Sequence, residues 1–241
     1  MNHEATRAIH LHGVPQAGME YEITNRPSFA ELVVTLDEDD QIRLEAASLV
    51  SYTEGVEVAP NDRGGLTASL RESLLGEDAA FSTVLTADRP GTVTLAPPFP
   101  GDIVHYELRE ETLYVQSCAF LAAEPDVAFD AEFSRDETFV ENESDFLLEL
   151  TGSGQSFVAS YGAISVVSLD PGETYVVDTG HVAAFEETVD FSVRRVEGVK
   201  SLHGTEEACL AEFEGPGTIW TQSRSPSAVL AWLVPNLPGE S

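Results

Sequence analysis

Lysine is almost absent. The chain of 241 residues has one, Lys200, and its 12 basic residues face 42 acidic ones, for a formal charge of -30. Nucleic-acid backbones are held by Lys and Arg that displace counterions. The arginines here are scattered among acids and form no basic stripe. That argues against nucleic-acid binding, and the same shortage argues against attachment to an anionic membrane surface. Cysteine is nearly missing too. Cys118 and Cys209 each lie among apolar or small neighbours and read as buried thiols, not as a bridge or a ligand pair. The apolar stretch Ala228 to Val234 is far short of the ~20 residues that span a bilayer, so no membrane insertion is expected. The start, MNHEATRAIH, lacks the apolar centre of a secretory signal, which leads to the expectation of a cytoplasmic protein. Phosphate loops, dinucleotide fingerprints, nucleophile elbows and Cys-x-x-Cys pairs are all absent. No catalytic residue and no cofactor is nominated.

The acids are spread along the chain, with Asp37 to Asp40 the longest like-charge run. With 42% apolar residues this is no disordered acidic tail. Unscreened, the surplus charge would oppose compaction. At molar salt the screening length falls to about 3 Å and the repulsion largely disappears. Charge density with lysine depletion therefore points to the high-salt cytosol of a haloarchaeon.

Short alternating β-branched runs dominate, such as Glu31 to Leu36 and Gly162 to Leu169, punctuated by Gly, Pro and acids. The pattern predicts an all-β fold. Asp170-Pro171-Gly172-Glu173 is a type II turn by its Pro and Gly, expected to join two antiparallel strands. Leu66, Leu70 and Leu74 repeat at four-residue spacing and predict one short helix over Gly65 to Leu75.

The chain also repeats itself. Leu36 to Val58 aligns without gaps on Leu169 to Phe191, pairing Asp37 with Asp170, Glu45 with Asp178 and Tyr52 with Phe185. A third copy starts at Leu108 and sets Leu121-Ala122-Ala123 against Val182-Ala183-Ala184. A second block, a strand, a small-residue turn and a Gly-led strand, covers Phe81 to Thr94, Phe146 to Phe157 and Cys209 to Trp220. It places Gly91, Gly154 and Gly217 in one phase, where a Cβ would clash. Three antiparallel β units result. They are expected to pack about a pseudo-threefold axis, covering each other's edges, in one domain over 19–234. Residues 1–18 and 235–241 read as flexible tails. Closed homo-oligomers often complete such schemes, and a trimer is favoured.

Few polar residues stand out. His10-x-His12 could set two rings on one strand face, but no acid follows, and no metal site is assigned. His181 follows a strong strand in Val177-Asp178-Thr179-Gly180-His181. Asp178 could orient its ring, which makes the pair a candidate ligand site; equally, Asp178 and Gly180 could simply end the strand. The aligned copies hold Ser48 and Phe120 opposite His181, so the scaffold does not require a histidine. Asp102, in Pro100-Gly101-Asp102-Ile103, reads as a turn residue bonding local amides. Gln222 and Arg224 leave the last Gly-led strand; Arg224 could hold a carboxylate, with an internal ion pair as its plain alternative. Asp178, His181, Arg224, Gln222 and Asp102 are the candidate ligand-binding residues.

Several stretches in order resemble the altered-inheritance-of-mitochondria protein twenty-four family, also described as TRAP-like (tryptophan RNA-binding attenuator protein-like). They are Tyr21-Glu22-Ile23 with Pro27 to Leu32, Gly64-Gly65-Leu66 leading to Arg71 and Gly76-Glu77, and Leu95-Ala96-Pro97 to Ile103. Val177 to His181 and Trp220 to Arg224 complete the set, over about residues 18–233. The resemblance implies a β-sandwich or double-stranded β-helix body of three attenuator-like repeats, and a homo-oligomer. It implies no established enzyme activity and no cofactor. A fungal mitochondrial member linked to inner-membrane organisation hints at a scaffold role with a protein partner. Two turns depart from the family pattern, which has Gly-Glu-Gly at Asn142-Glu143-Ser144 and Gln-Thr-Arg at Gln222-Ser223-Arg224.

Overall fold

A computed structural model describes residues 19–60, 82–132, 147–200, 207–233 and 236–237. The helix expected over Gly65 to Leu75, His10-x-His12, the triplet at Asn142 and nearly all of both tails lie outside the described residues.

The first third of the chain gives β1 (Glu20–Thr24), β2 (Glu31–Leu36), β3 (Gln41–Glu45), β4 (Leu49–Tyr52), β5 (Val56–Pro60), β6 (Ser82–Ala87) and β7 (Gly91–Leu95). The middle gives β8 (Ile103–Gln116), β9 (Phe120–Ala123), β10 (Val127–Glu132) and β11 (Leu147–Ala159). The last gives β12 (Ile164–Leu169), β13 (Thr174–Asp178), β14 (Val182–Glu186), β15 (Asp190–Lys200), β16 (Glu207–Glu214) and β17 (Gly217–Gln222). One helix is described, α1 (Pro226–Leu233). The fold is all-β and every strand pairing is antiparallel.

Period-two alternation builds these strands. In β2, Leu32, Val34 and Leu36 are fully buried while Glu31, Val33 and Thr35 turn outward. Three apolar clusters follow the chain. Leu32, Ile42 and Leu95 belong to the first, Leu113, Phe120 and Leu150 to the second, and Leu169, Phe185 and Phe213 to the third. One sheet runs β1-β2-β7-β4 and another β13-β16-β15. The largest, ten-stranded, runs β12-β17-β14-β8-β11-β9-β3-β6-β5, with β10 also on β11, and so takes strands from all three thirds.

Element boundaries recur. β2, β3 and the 3-10 turn Ala46–Ser48 reappear 133 residues later as β12, β13 and the turn Thr179–His181. The turn Ser117–Ala119 lies 62 residues before Thr179–His181, and β9 the same distance before β14. That shift puts Ala119, not Phe120, opposite His181, and corrects the third-copy alignment by one residue. In the middle third the two hairpin-like corners are straightened into the long strands β8 and β11, which pair along most of their length.

The phase of the three glycines has a physical cause. The amide after each glycine is held by a side-chain oxygen from the neighbouring strand end. Thr92 N–H donates to Thr53 Oγ1 at 2.9 Å, Gln155 N–H to Glu124 Oε2 at 2.8 Å and Thr218 N–H to Glu186 Oε2 at 2.8 Å. A Cβ on Gly91 or Gly154 would crowd that oxygen, and one on Gly217 would crowd the side chains of Thr188 and Val189 beside it. Gly217 also has φ +146°, while Gly172 has φ +80° with nothing near its missing Cβ. Gly217→Ala is therefore expected to cost about 3 kcal/mol and Gly172→Ala about 1 kcal/mol. Urea unfolding in molar KCl would check this; equal losses would mean that the crowding is irrelevant.

Two expectations are corrected. The Asp170–Glu173 turn forms, with Glu173 N–H donating to the Asp170 carbonyl at 2.9 Å. It joins no antiparallel pair: β12 pairs with β17 and β13 with β16, so the turn carries the chain from one sheet to another. Leu169 and Val177 on either side both enter the third core, and Gly215 bonds across the corner, which leaves β12 and β13 no reason to pair. Second, mutual covering of edges is not complete. β9 pairs with β3 and β14 with β8, but among the described residues β4 pairs only with β7 and β13 only with β16.

The helix α1 was not foreseen. Its signals are local: Ser225 caps it, accepting from Ala228 N–H at 3.4 Å, and Pro226 occupies the first helical position.

Candidate functional site

The candidate residues gather around the turn that carries the chain from β11 to β12, residues 160–163. Five neighbours pin its backbone. Ser160 N–H donates to the Asp102 carbonyl at 2.9 Å, and Ser160 Oγ accepts from Asp102 N–H at 3.1 Å while donating to the Gly162 carbonyl at 2.8 Å. Gly162 N–H reaches the Pro100 carbonyl at 2.8 Å. Tyr161 N–H donates to Gln222 Oε1 at 2.9 Å, and Arg224 N–H to the Tyr161 carbonyl at 3.1 Å. Ala163 N–H donates to Ser223 Oγ at 2.9 Å. The rings of Phe99 and Tyr161 meet at 4.8 Å.

Asp102 is buried against one side of this joint. Arg26 grips it with both ends of a fork, Nε to Oδ1 at 2.7 Å and Nη2 to Oδ2 at 2.9 Å. Oδ1 also accepts from Ile103 N–H at 2.9 Å, the local amide bond expected of it. The bond to Asp102 pushes the Arg26 guanidinium up from its usual pKa, against the opposing effect of burial. Gln222 is buried on the other side. Its amide nitrogen donates to the Gly180 carbonyl at 3.1 Å, and its own carbonyl accepts from His181 Nδ1 at 2.8 Å. A carbonyl can only accept, so the proton of the neutral ring sits on Nδ1. Asp178 is exposed and accepts from Gly180 N–H at 3.0 Å, capping the 3-10 turn. Glu45 caps the equivalent turn by accepting from Ala47 N–H at 2.8 Å. Arg224 is exposed and donates to the Ser223 carbonyl at 3.2 Å. Among the described residues it has no carboxylate within ion-pair distance, so the internal salt bridge anticipated for it is not seen.

The structure thus brings Gln222, His181 and the backbone of Arg224 to one joint, sets Asp102 on its far side and leaves Asp178 at the rim. Arg26, Ser160 and Tyr161 belong to the same arrangement and were not nominated. Arg26 carried a signal, as a cation just ahead of the family-like stretch Pro27 to Leu32, in a chain with few cations. Ser160 and Tyr161 had none, because their roles run through backbone groups. Chemically the arrangement fixes the passage from β11 to β12, two strands of the ten-stranded sheet that do not pair with each other. No group of three or more His, Cys, Asp or Glu suited to a metal ion occurs among the described residues. Cys209 is buried as expected, while Cys118 is half-buried.

A second polar cluster ties β1 to the middle third. Met19 N–H donates to Glu124 Oε1 at 3.0 Å, and Gln155 Nε2 donates to the Met19 carbonyl at 2.9 Å. His105 stacks on Tyr21 at 4.7 Å and lies against Phe157 at 5.4 Å; its Nε2 is buried without a hydrogen-bond partner among the described residues. Burial lowers the His105 pKa, and Glu107 and Glu124 oppose this more weakly. The folded state therefore prefers the neutral ring. As pH falls through the unfolded value near ~6.5, the unfolded chain binds a proton that the folded chain resists, and stability drops. His105→Phe keeps the stack and should flatten the stability profile between about pH 7 and 5. Parallel profiles for the two proteins would remove His105 as the cause.

No helix among the described residues is long and apolar enough to cross a membrane. Residues 21–224 match the family model described as "Mitochondrial biogenesis AIM24". An uncharacterised protein of Streptococcus pyogenes serotype M6 is 27% identical over 231 residues, covering 92% of this chain and 93% of its own length. The X-ray structure of a Streptococcus pyogenes protein is similar with a TM-score of 0.75 and 26% identity, over 91% of this chain and 100% of that one. Neither relative comes from a haloarchaeon, so that expectation of source has only the charge behind it.

Proposed function

Because the chain belongs to the mitochondrial biogenesis AIM24 family, we propose that it is a non-enzymatic, homo-oligomeric scaffold or binding protein serving membrane-associated complexes. In this reading the body is three attenuator-like units, the assembly is a trimer, and its working solvent is a high-salt cytosol. The observation that carries the proposal is on the surface. Large apolar side chains stand exposed on strand edges, Val50 and Tyr52 on β4 and Tyr175 and Val176 on β13, in a chain with acids to spare for covering them. The nominated polar residues support it as well, since Gln222, His181, Asp102 and Asp178 each bond the backbone of a turn or strand end. Light scattering in molar KCl should give a mass that is a multiple of 26.0 kDa. Capture from a native high-salt lysate should bring down one defined partner. A lone chain in both measurements would sink the reading.

A further inference from the structure

The strand β1 is lightly held. Among the described residues it pairs only with β2; Glu20, Tyr21 and Glu22 are exposed, and Ile23 and Thr24 are half-buried. Its C-terminal end is anchored, since Asn25 turns the chain at φ +55° and Arg26 is forked onto Asp102. Its body is gripped from the middle third at two points. Tyr21 lies on the ring of His105, and Met19 is held at both backbone groups, its N–H by Glu124 and its carbonyl by Gln155.

The two grips are chemically linked. His105 faces Phe157 across β8 and β11, and Gln155 faces Glu107, so Gln155 lies diagonally from His105 on one face of the ladder. His105 Nε2 and Gln155 Oε1 are both buried with no hydrogen-bond partner among the described residues. A neutral ring can leave Nε2 as an unused acceptor at small cost. A second proton turns Nε2 into a charged donor, buried without an acceptor, and that cost is large. The acceptors at hand are Gln155 Oε1 and the Glu124 carboxylate. These are the side chains that hold Met19, and Glu124 Oε2 also accepts from Gln155 N–H at 2.8 Å. The other neighbours give no relief: Tyr21 and Phe157 present rings, and Glu107 is paired with Arg109. Satisfying a charged His105 and gripping β1 therefore compete.

We propose that β1 is an acid-released strap: protonation of His105 frees Met19 to Thr24 from β2 and the middle third, with the Arg26 fork as hinge, while the rest of the chain stays folded. Release lets the ring hydrate and bares the outer edge of β2 from Glu31 to Thr35. The direction follows from burial, which lowers the pKa of the held ring, with Glu107 and Glu124 opposing it. The freed ring titrates near ~6.5. Release thus grows as pH falls through that value, by at most about tenfold per pH unit for one proton, and levels off below the pKa of the held ring.

Hydrogen exchange of the full chain in molar KCl, read by mass spectrometry between about pH 7.5 and 5, tests this. Dividing the wild-type rate by that of His105→Phe at each pH cancels the intrinsic pH dependence of amide exchange. For Glu20 to Thr24 the ratio should climb by about tenfold toward pH 5. For Gly91 to Leu95 of β7, on the other side of β2, it should stay constant. His105→Gln, also uncharged, should give the same ratios, so the result does not hang on one variant folding. Gln155→Leu, which lets go of the Met19 carbonyl, should speed exchange of Glu20 to Thr24 already at pH 7.5. A ratio for β1 that stays flat with both His105 variants would overturn the proposal. So would a ratio that rises equally in β7, because the acid effect would then be unfolding of the whole chain.

Discussion

Arg26→Ala is expected to lower the unfolding free energy by about 3 kcal/mol. The Asp102 side chain is only 7% exposed, and without Arg26 its charge would keep a single amide, that of Ile103. Breaking a fully buried pair from one side costs about 3–5 kcal/mol. The lower end applies because the Arg26 head is half-exposed and water can enter where it leaves. Asp102→Asn should cost less, about 1–2 kcal/mol, since it removes the charge and keeps an oxygen for Ile103. The double variant Arg26→Ala/Asp102→Asn should then lose less than the two single losses added together, because no buried charge remains. Urea unfolding of the four proteins in molar KCl measures the coupling. Strictly additive losses would mean that the fork contributes nothing to the crossing between β11 and β12.

Much of this fold was legible because it rests on short-range signals. Alternation in Glu31 to Leu36 fixed both the strand and its buried face, and Pro171-Gly172 fixed a turn. The repeat gave boundaries close to those observed, because the same turns recur at the same phase. What the turn could not reveal was its role as a corner. That depends on where Leu169, Val177 and Gly172 find partners, and those partners lie in β16, β17 and the segment between them. The helix α1 is hard to read from sequence because Ala228 to Val234 is continuously apolar and shows no helical period.

The site was legible in part, and for an opposite reason. Gln222, His181 and Asp102 stood out as polar residues in apolar surroundings, and the structure uses each to satisfy backbone groups at strand ends. The sequence shows such residues without showing their partners. Ser160 and Tyr161 were invisible because the Ser160 hydroxyl meets only backbone groups and Tyr161 bonds through its own amide and carbonyl. The glycine phase was visible, while its cause was not: Thr53, Glu124 and Glu186 are unlike in chemistry and share only an oxygen at the right place.

Dilution from molar salt to about 10 mM is expected to dissolve the assembly first and then loosen the chain. The screening length rises from about 3 Å to about 30 Å, so charges that ignored each other begin to repel across the whole molecule. The structure offers little compensation. Of the four ion pairs among the described residues, only that of Arg26 with Asp102 has a buried partner. Exposed pairs contribute about 0–1 kcal/mol. Joining two copies adds repulsion between two bodies of charge -30, so the assembly should fail at a higher salt concentration than the fold. Light scattering and circular dichroism through one KCl titration would separate the two transitions. Sucrose strengthens burial without screening charge, so at equal osmolality it should restore much less than KCl. Lowering the pH toward the isoelectric point near 4.2 should recover part of the assembly at low salt, set against the loss that His105 contributes on the way down. A mass and spectrum that stay constant from molar to dilute buffer would show that the acids are carried without cost, and the salt argument would fall with them.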